Sequence, residues 1–139
     1  MKTRRFILTL LVLTFALAPQ SLRTASAERN RNRYSAKLIS PKAGDVLVPG
    51  QVFRVEWKAV FPDVNLTWCE AELRLSLDGG RTFMQITGEL DPRDQYCDWI
   101  VPNMPTRTAV LDIYFGCTGV YPETSSAQVQ SPFVISPLD

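Results

Sequence analysis

Apolar and polar residues alternate in short runs along most of the chain, and Pro and Gly cut the runs apart. Val52 to Ala59 puts Phe53, Val55 and Trp57 on one face and Arg54, Glu56 and Lys58 on the other. Trp68 to Ser76 does the same, with Cys69, Ala71, Leu73 and Leu75 opposite Trp68, Glu70, Glu72 and Arg74. A period of two with one polar face predicts half-buried strands. Further strands are predicted over 37–40, 46–48, 82–86, 96–101, 109–117 and 129–135. Asp78-Gly79-Gly80 reads as a tight hairpin turn, because those residues supply the positive φ it needs. Polar loops fall over 59–67, 87–95 and 118–127. About seven short strands at this spacing predict an all-β fold, a two-sheet antiparallel sandwich.

The first 27 residues break this pattern. Lys2, Arg4 and Arg5 precede a run of 13 residues, Phe6 to Ala18, with only Thr9 and Thr14 as polar interruptions. Pro19 ends the run, and Ala25-Ser26-Ala27 offers small residues where signal peptidase cuts. The run is too short for an ordinary membrane span of about 20 residues. These features predict a signal peptide over 1–27, a flexible basic arm over 28–36, and one domain over 37–139. Arg4-Arg5 also suits twin-arginine export, but the apolar run and short basic region favour the general secretory route. The expected location is secreted or periplasmic, with no stable membrane span after processing. Cleavage would remove four of the 15 basic residues and none of the 14 acidic ones, leaving a net charge of −3. An acidic body argues against a nucleic-acid partner.

Several segments together resemble a known family pattern. They are Ser40-Pro41…Gly44…Gly50…Val55-Glu56-Trp57, Leu73 to Phe83, Trp99-Ile100-Val101-Pro102 and Ser131-Pro132-Phe133-Val134-Ile135. They resemble the immunoglobulin-like and fibronectin-III-like modules of bacterial secreted proteins. A similar pattern opens the fungal cell-wall β-glucan synthesis proteins. The resemblance spans about 38–135 and implies an immunoglobulin-like sandwich. It implies no particular function, since such modules carry many.

Candidate chemistry is sparse. The chain has no His, so the commonest general base and any His-based triad are missing. The carboxylate pairs Glu70/Glu72 and Glu89/Asp91 read as solvated surface, because a glycosidase also needs a cleft that spaces its acids across a sugar. Ser76 to Phe83 resembles the Asp-box of sialidases, a structural turn there and here. Asn65-Leu66-Thr67 matches a glycosylation sequon by accident of composition. Three Cys without His or close spacing are a poor metal set, and no cofactor is indicated. Trp57 and Trp99 share faces with aliphatic residues and are assigned to the core. Trp68 falls on a polar face beside Glu70 and Glu72, with Tyr114 on the neighbouring strand. An aromatic among carboxylates suits a sugar or peptide surface, so Trp68, Glu70, Glu72 and Tyr114 are the candidate binding residues. The expected function is a non-catalytic binding module, its partner a polysaccharide or protein at the cell envelope. The alternative is an assembly protein that docks to another exported chain.

The predicted topology brings Cys69, Cys97 and Cys117 to one end of the sandwich, all on inward positions. Strands 68–76 and 109–117 should be antiparallel neighbours whose ends meet, so Cys69–Cys117 is the expected disulfide in an oxidising compartment. Cys97 would lie on the opposite sheet, about 10 Å away, beyond the roughly 7 Å that a bond allows between Cα atoms. It would remain a buried free thiol, or a route to a disulfide-linked dimer if loop 87–95 moves aside.

Overall fold

The computed structural model of the protein describes residues 33–126 and 130–138. The predicted signal peptide and residues 28–32 of the arm therefore lie outside the described residues. The strands are β1 (Ser35–Ser40), β2 (Val46–Leu47), β3 (Val52–Val60), β4 (Cys69–Ser76), β5 (Met84–Gln85), β6 (Tyr96–Ile100), β7 (Thr106–Cys117), β8 (Tyr121–Thr124) and β9 (Phe133–Ile135), with one 3-10 turn at Leu66–Trp68. They make two sheets. One has the order β1-β3-β6; the other runs β2-β9-β7-β4-β5, with β8 also paired to β7. All pairs are antiparallel except β2 with β9.

The apolar faces of the two sheets share one core. Val55 and Trp57 of β3 and Trp99 of β6 meet Leu73 and Leu75 of β4 and Leu111, Ile113 and Phe115 of β7. The alternation that marks the strands is what aims these side chains inward, and Trp57 and Trp99 are buried as expected. The longest strand, β7, holds the second sheet together. One of its edges pairs with β4 from Cys69↔Cys117 to Ser76↔Val110. Its other edge is shared between β9 at Thr106 and Ala109 and β8 at Phe115 and Cys117.

The predicted loop 118–127 therefore contains a strand, β8. Pro122 and the absence of alternation conceal it in the sequence. The strand drawn over 82–86 shrinks to β5, and of the described residues 130–135 only Phe133–Ile135, β9, is strand. The strand drawn from 109 begins at Thr106. Tyr34, Ser35 and Ala36, assigned from sequence to the flexible arm, belong to the domain. Tyr34 and Ala36 are buried. The Tyr34 ring stacks on Phe115 at 4.9 Å between centroids, and its hydroxyl donates to the Ile113 carbonyl at 3.0 Å.

Asp112 also departs from expectation. Its position on the outer face of β7 predicts exposure, yet it is buried. The chain after β8 returns over it, and Asp112 accepts hydrogen bonds from the Ser126 amide at 3.2 Å, the Ser126 hydroxyl and the Ile113 amide at 2.9 Å. Burial pushes its carboxyl above the usual range, against those hydrogen bonds. Gln130 continues this path. Its carboxamide donates to the Ala36 carbonyl at 3.1 Å and accepts from the Leu38 amide at 3.0 Å. One side chain thus engages two outward backbone groups of β1.

Candidate functional site

Trp68 closes the 3-10 turn that leads into β4. The Asn65 side chain caps that turn by accepting from the Thr67 amide at 3.1 Å, so the apparent sequon residue has a structural task. The Thr118 amide donates to the Trp68 carbonyl at 3.3 Å, which ties the backbone of Trp68 to the end of β7. The next residue, Cys69, is bonded to Cys117, with 4.0 Å between Cα atoms. The predicted pairing is therefore present, and it clamps the base of this corner. Cys97 is the free cysteine, on the other sheet in β6; it is half-buried, where full burial was expected.

The backbone at Trp68 is fixed on both sides, but its indole is 70% exposed. Beside it lies a shallow open depression of about 380 Å³, lined among others by Trp68, Glu70, Glu89, Asp91, Arg93 and Thr118. All three predicted loops contribute to it or border it. Arg93 pairs with Asp91 at 2.9 Å and donates to the Thr67 hydroxyl at 3.2 Å. The segment carrying Glu89 returns along the free edge of β4 and forms a bridge there: the Ala71 amide donates to Leu90 at 3.0 Å and the Leu90 amide to Ala71 at 2.9 Å. That bridge brings Glu89 against Glu70. Loss of solvent first, and then the Glu89 charge and hydrogen bond, raise the Glu70 carboxyl above its ordinary range. The acids thus pair as Glu70 with Glu89, across two segments. A pattern confined to one strand gives no signal for this.

Glu72 and Tyr114 sit farther along the same face and are occupied. The Arg74 guanidinium lies over the Tyr114 ring at 3.8 Å from its centroid. It also pairs with Glu72 at 3.1 Å and with Glu123 of β8. Asp112, opposite Arg74 in register, is turned to Ser126 instead. Of the four candidate binding residues, Trp68 and Glu70 border the open depression. Glu72 and Tyr114 do not line it, and Arg74 occupies both.

The hairpin after β4 is a self-contained turn. Asp78 accepts from the Ser76 hydroxyl at 2.7 Å, the Arg81 and Thr82 amides at 3.0 and 2.9 Å, and the Thr82 hydroxyl at 2.7 Å. These bonds hold the Asp78 carboxyl well below the usual carboxylate range. The Asp78 carboxylate and the Ser76 hydroxyl both bond within their own loop, as a structural turn requires, and the Leu77 carbonyl ties the turn to β7 by accepting from the Thr106 and Thr108 hydroxyls. Among the described residues no group of three or more His, Cys, Asp or Glu could hold a metal ion, and no helix is long and apolar enough to cross a membrane. No protein-family model matches the chain, and no curated protein matches it.

Proposed function

We propose that this chain is an immunoglobulin-like, fibronectin-III-like module exported through a cleaved signal peptide to the periplasm or cell exterior. There it acts as a non-catalytic binding module for a polyhydroxylated chain of the cell envelope. The strand orders β1-β3-β6 and β2-β9-β7-β4-β5 support the fold assignment, since a sandwich of this family keeps A, B and E apart from G, F and C. A disulfide between Cys69 and Cys117 is compatible with an oxidising compartment.

One observation carries the functional reading. Trp68 stands 70% exposed on a backbone held by a capped turn and a disulfide, beside an open acidic depression. A flat aromatic face gives a sugar ring a stacking surface, and the carboxylates of Glu70 and Glu89 accept its hydroxyls. The openness of the depression suits a long chain lying across it better than a small molecule enclosed by it. No His supports catalysis, and a glycosidase pair needs acids flanking a bound bond. A glycan array probed with the purified protein tests the reading. Binding to one class of envelope glycan supports it; a blank array beside a protein recovered by affinity capture from the same envelope refutes it.

A further inference from the structure

The three-stranded sheet ends on β6, and the state of that edge follows from the register. β3 and β6 pair so that partner numbers sum to a constant, from Val52↔Ile100 to Glu56↔Tyr96. The Val101 amide donates to Gln51 at 3.0 Å and the Trp57 amide to Gln95 at 3.0 Å. Both are odd-numbered pairs, so the odd residues of β6 spend their backbone groups on β3. The amides and carbonyls of Tyr96, Asp98 and Ile100 then point away from the sheet. Among the described residues none of these amides donates to another backbone group. On the opposite edge of the same sheet, the Gln130 carboxamide takes up the Ala36 carbonyl and the Leu38 amide of β1. Of the outer strands of the second sheet, β2 and β5 are two residues each, and β8 is four residues and carries Pro122, which has no amide to donate. Among the described residues β6 is thus the longest outer strand whose outward amides find no partner.

Cys97 stands in the middle of that edge. Its thiol donates to the outward carbonyl of Asp98 at 3.6 Å, which places the sulfur at the rim. On the free side Cys97 occupies a non-hydrogen-bonded position. Facing residues at such positions in an antiparallel pair lie about 4.5 Å apart at Cα, within reach of a disulfide. The molecule already contains one disulfide of this kind. The Thr118 amide bonds to Trp68, so the next pair inward, Cys69 and Cys117, is non-hydrogen-bonded and is bridged.

We propose that a second copy of this chain docks on the β6 edge, antiparallel about a two-fold axis at Cys97, and joins the two three-stranded sheets into one of six strands. The charges select this register. Centring on Asp98 would set two carboxylates directly opposite each other, which is unfavourable. Centring on Tyr96 would set Asp98 opposite Asp94. Centring on Trp99 would require an amide from Pro102, which has none. With Cys97 on the axis, Asp98 of each copy faces Tyr96 of the other. Asp98 is already neutralised by Arg54 of its own copy at 2.8 and 2.9 Å. Tyr96 and Asp98 then exchange backbone hydrogen bonds on both sides of the axis. The interface is isologous and closes on itself, so it ends at a dimer.

The test is thiol trapping of the chain as recovered from the cell, at micromolar concentration, with oxidised glutathione. Two Cys97 thiols pass two electrons and two protons to one glutathione disulfide, giving two glutathione thiols and the Cys97–Cys97 bond. The expected result is a species of twice the mass whose only intermolecular peptide joins Cys97 to Cys97. Asp98→Pro deletes an amide that the monomer's own ladder does not use, and should slow trapping about tenfold or more while leaving the circular dichroism spectrum unchanged. Equal trapping rates in the two proteins, a link through Cys69 or Cys117, or a dimer by sedimentation that does not trap would each overturn the proposal. So would a protein that sediments as a monomer and traps no faster than it does in urea, a comparison independent of the variant.

Discussion

Removing the Cys69–Cys117 bridge, by replacing both residues with Ala, isolates what the covalent link contributes. The two residues are 48 apart in sequence. Closing a loop of that size in the unfolded chain costs entropy that the bridge has already removed, worth about 4 kcal/mol at 25 °C in the chain-entropy account. A domain of this size has a total stability of roughly 5–15 kcal/mol, so the loss is a large share of it. The strand pairing itself should persist, because the backbone ladder between β4 and β7 runs on to Ser76 and Val110 and Leu73, Leu75, Leu111 and Ile113 stay buried. Urea unfolding followed by tryptophan fluorescence reads the outcome. The midpoint should fall, and the slope should rise, because an unbridged unfolded chain exposes more surface. Thermal unfolding should drop by roughly 15–30 °C, at about 4–8 °C per kcal/mol for domains near this size. A variant that loses less than about 1 kcal/mol would show that the unfolded chain already holds these strands together, and the entropic reasoning would fail.

The remaining predictions follow from burial and charge. Trp57→Ala or Trp99→Ala should cost about 3–5 kcal/mol in a denaturant melt, since each empties a core site, whereas Trp68→Ala should stay within about 1 kcal/mol of the parent. Acrylamide should quench one tryptophan readily and two weakly, and the readily quenched signal should vanish in Trp68→Ala. Asp112→Asn should stabilise the domain at neutral pH, because burial penalises the carboxylate while Asn keeps the acceptor oxygen; with the folded carboxyl raised above its unfolded value, the parent gains stability as pH falls, and the advantage of the variant should shrink through the acidic range. Asp78 works in the opposite direction: its depressed carboxyl adds stability above the unfolded value of about 3.9, lost as pH falls through the folded value, so Asp78→Asn should flatten the acid limb of the stability profile.

Strand faces were legible wherever one side of a strand meets solvent. The parity of 52–59 and 68–76 located Val55, Trp57, Leu73 and Leu75 in the core and Trp68 outside it. The same parity, carried along 109–117, set Cys117 opposite Cys69. It failed where both faces are covered. Asp112 occupies an outer position of β7 and is buried all the same, because the chain after β8 folds back to it at Ser126. β8 itself was hidden by Pro122, and β1 began earlier than expected because the basic run before Tyr34 masked an aromatic anchor. The Glu70–Glu89 contact is a product of the third dimension. It depends on the 84–90 segment returning along β4, and no local spacing encodes that path. Tyr114 was correctly placed next to Glu72, but the ring is covered by Arg74, whose reach exceeds what register alone describes.

A fluorescence titration of the protein with solubilised envelope polysaccharide tests the functional reading most directly, because Trp57 and Trp99 are buried and only Trp68 can report a ligand at the surface. A saturable blue shift in emission is predicted, with Trp68→Ala melting like the parent yet binding at least about tenfold more weakly, a loss of roughly 1.4 kcal/mol. An emission spectrum that never moves, or binding by Trp68→Ala as tight as the parent's, would contradict the account.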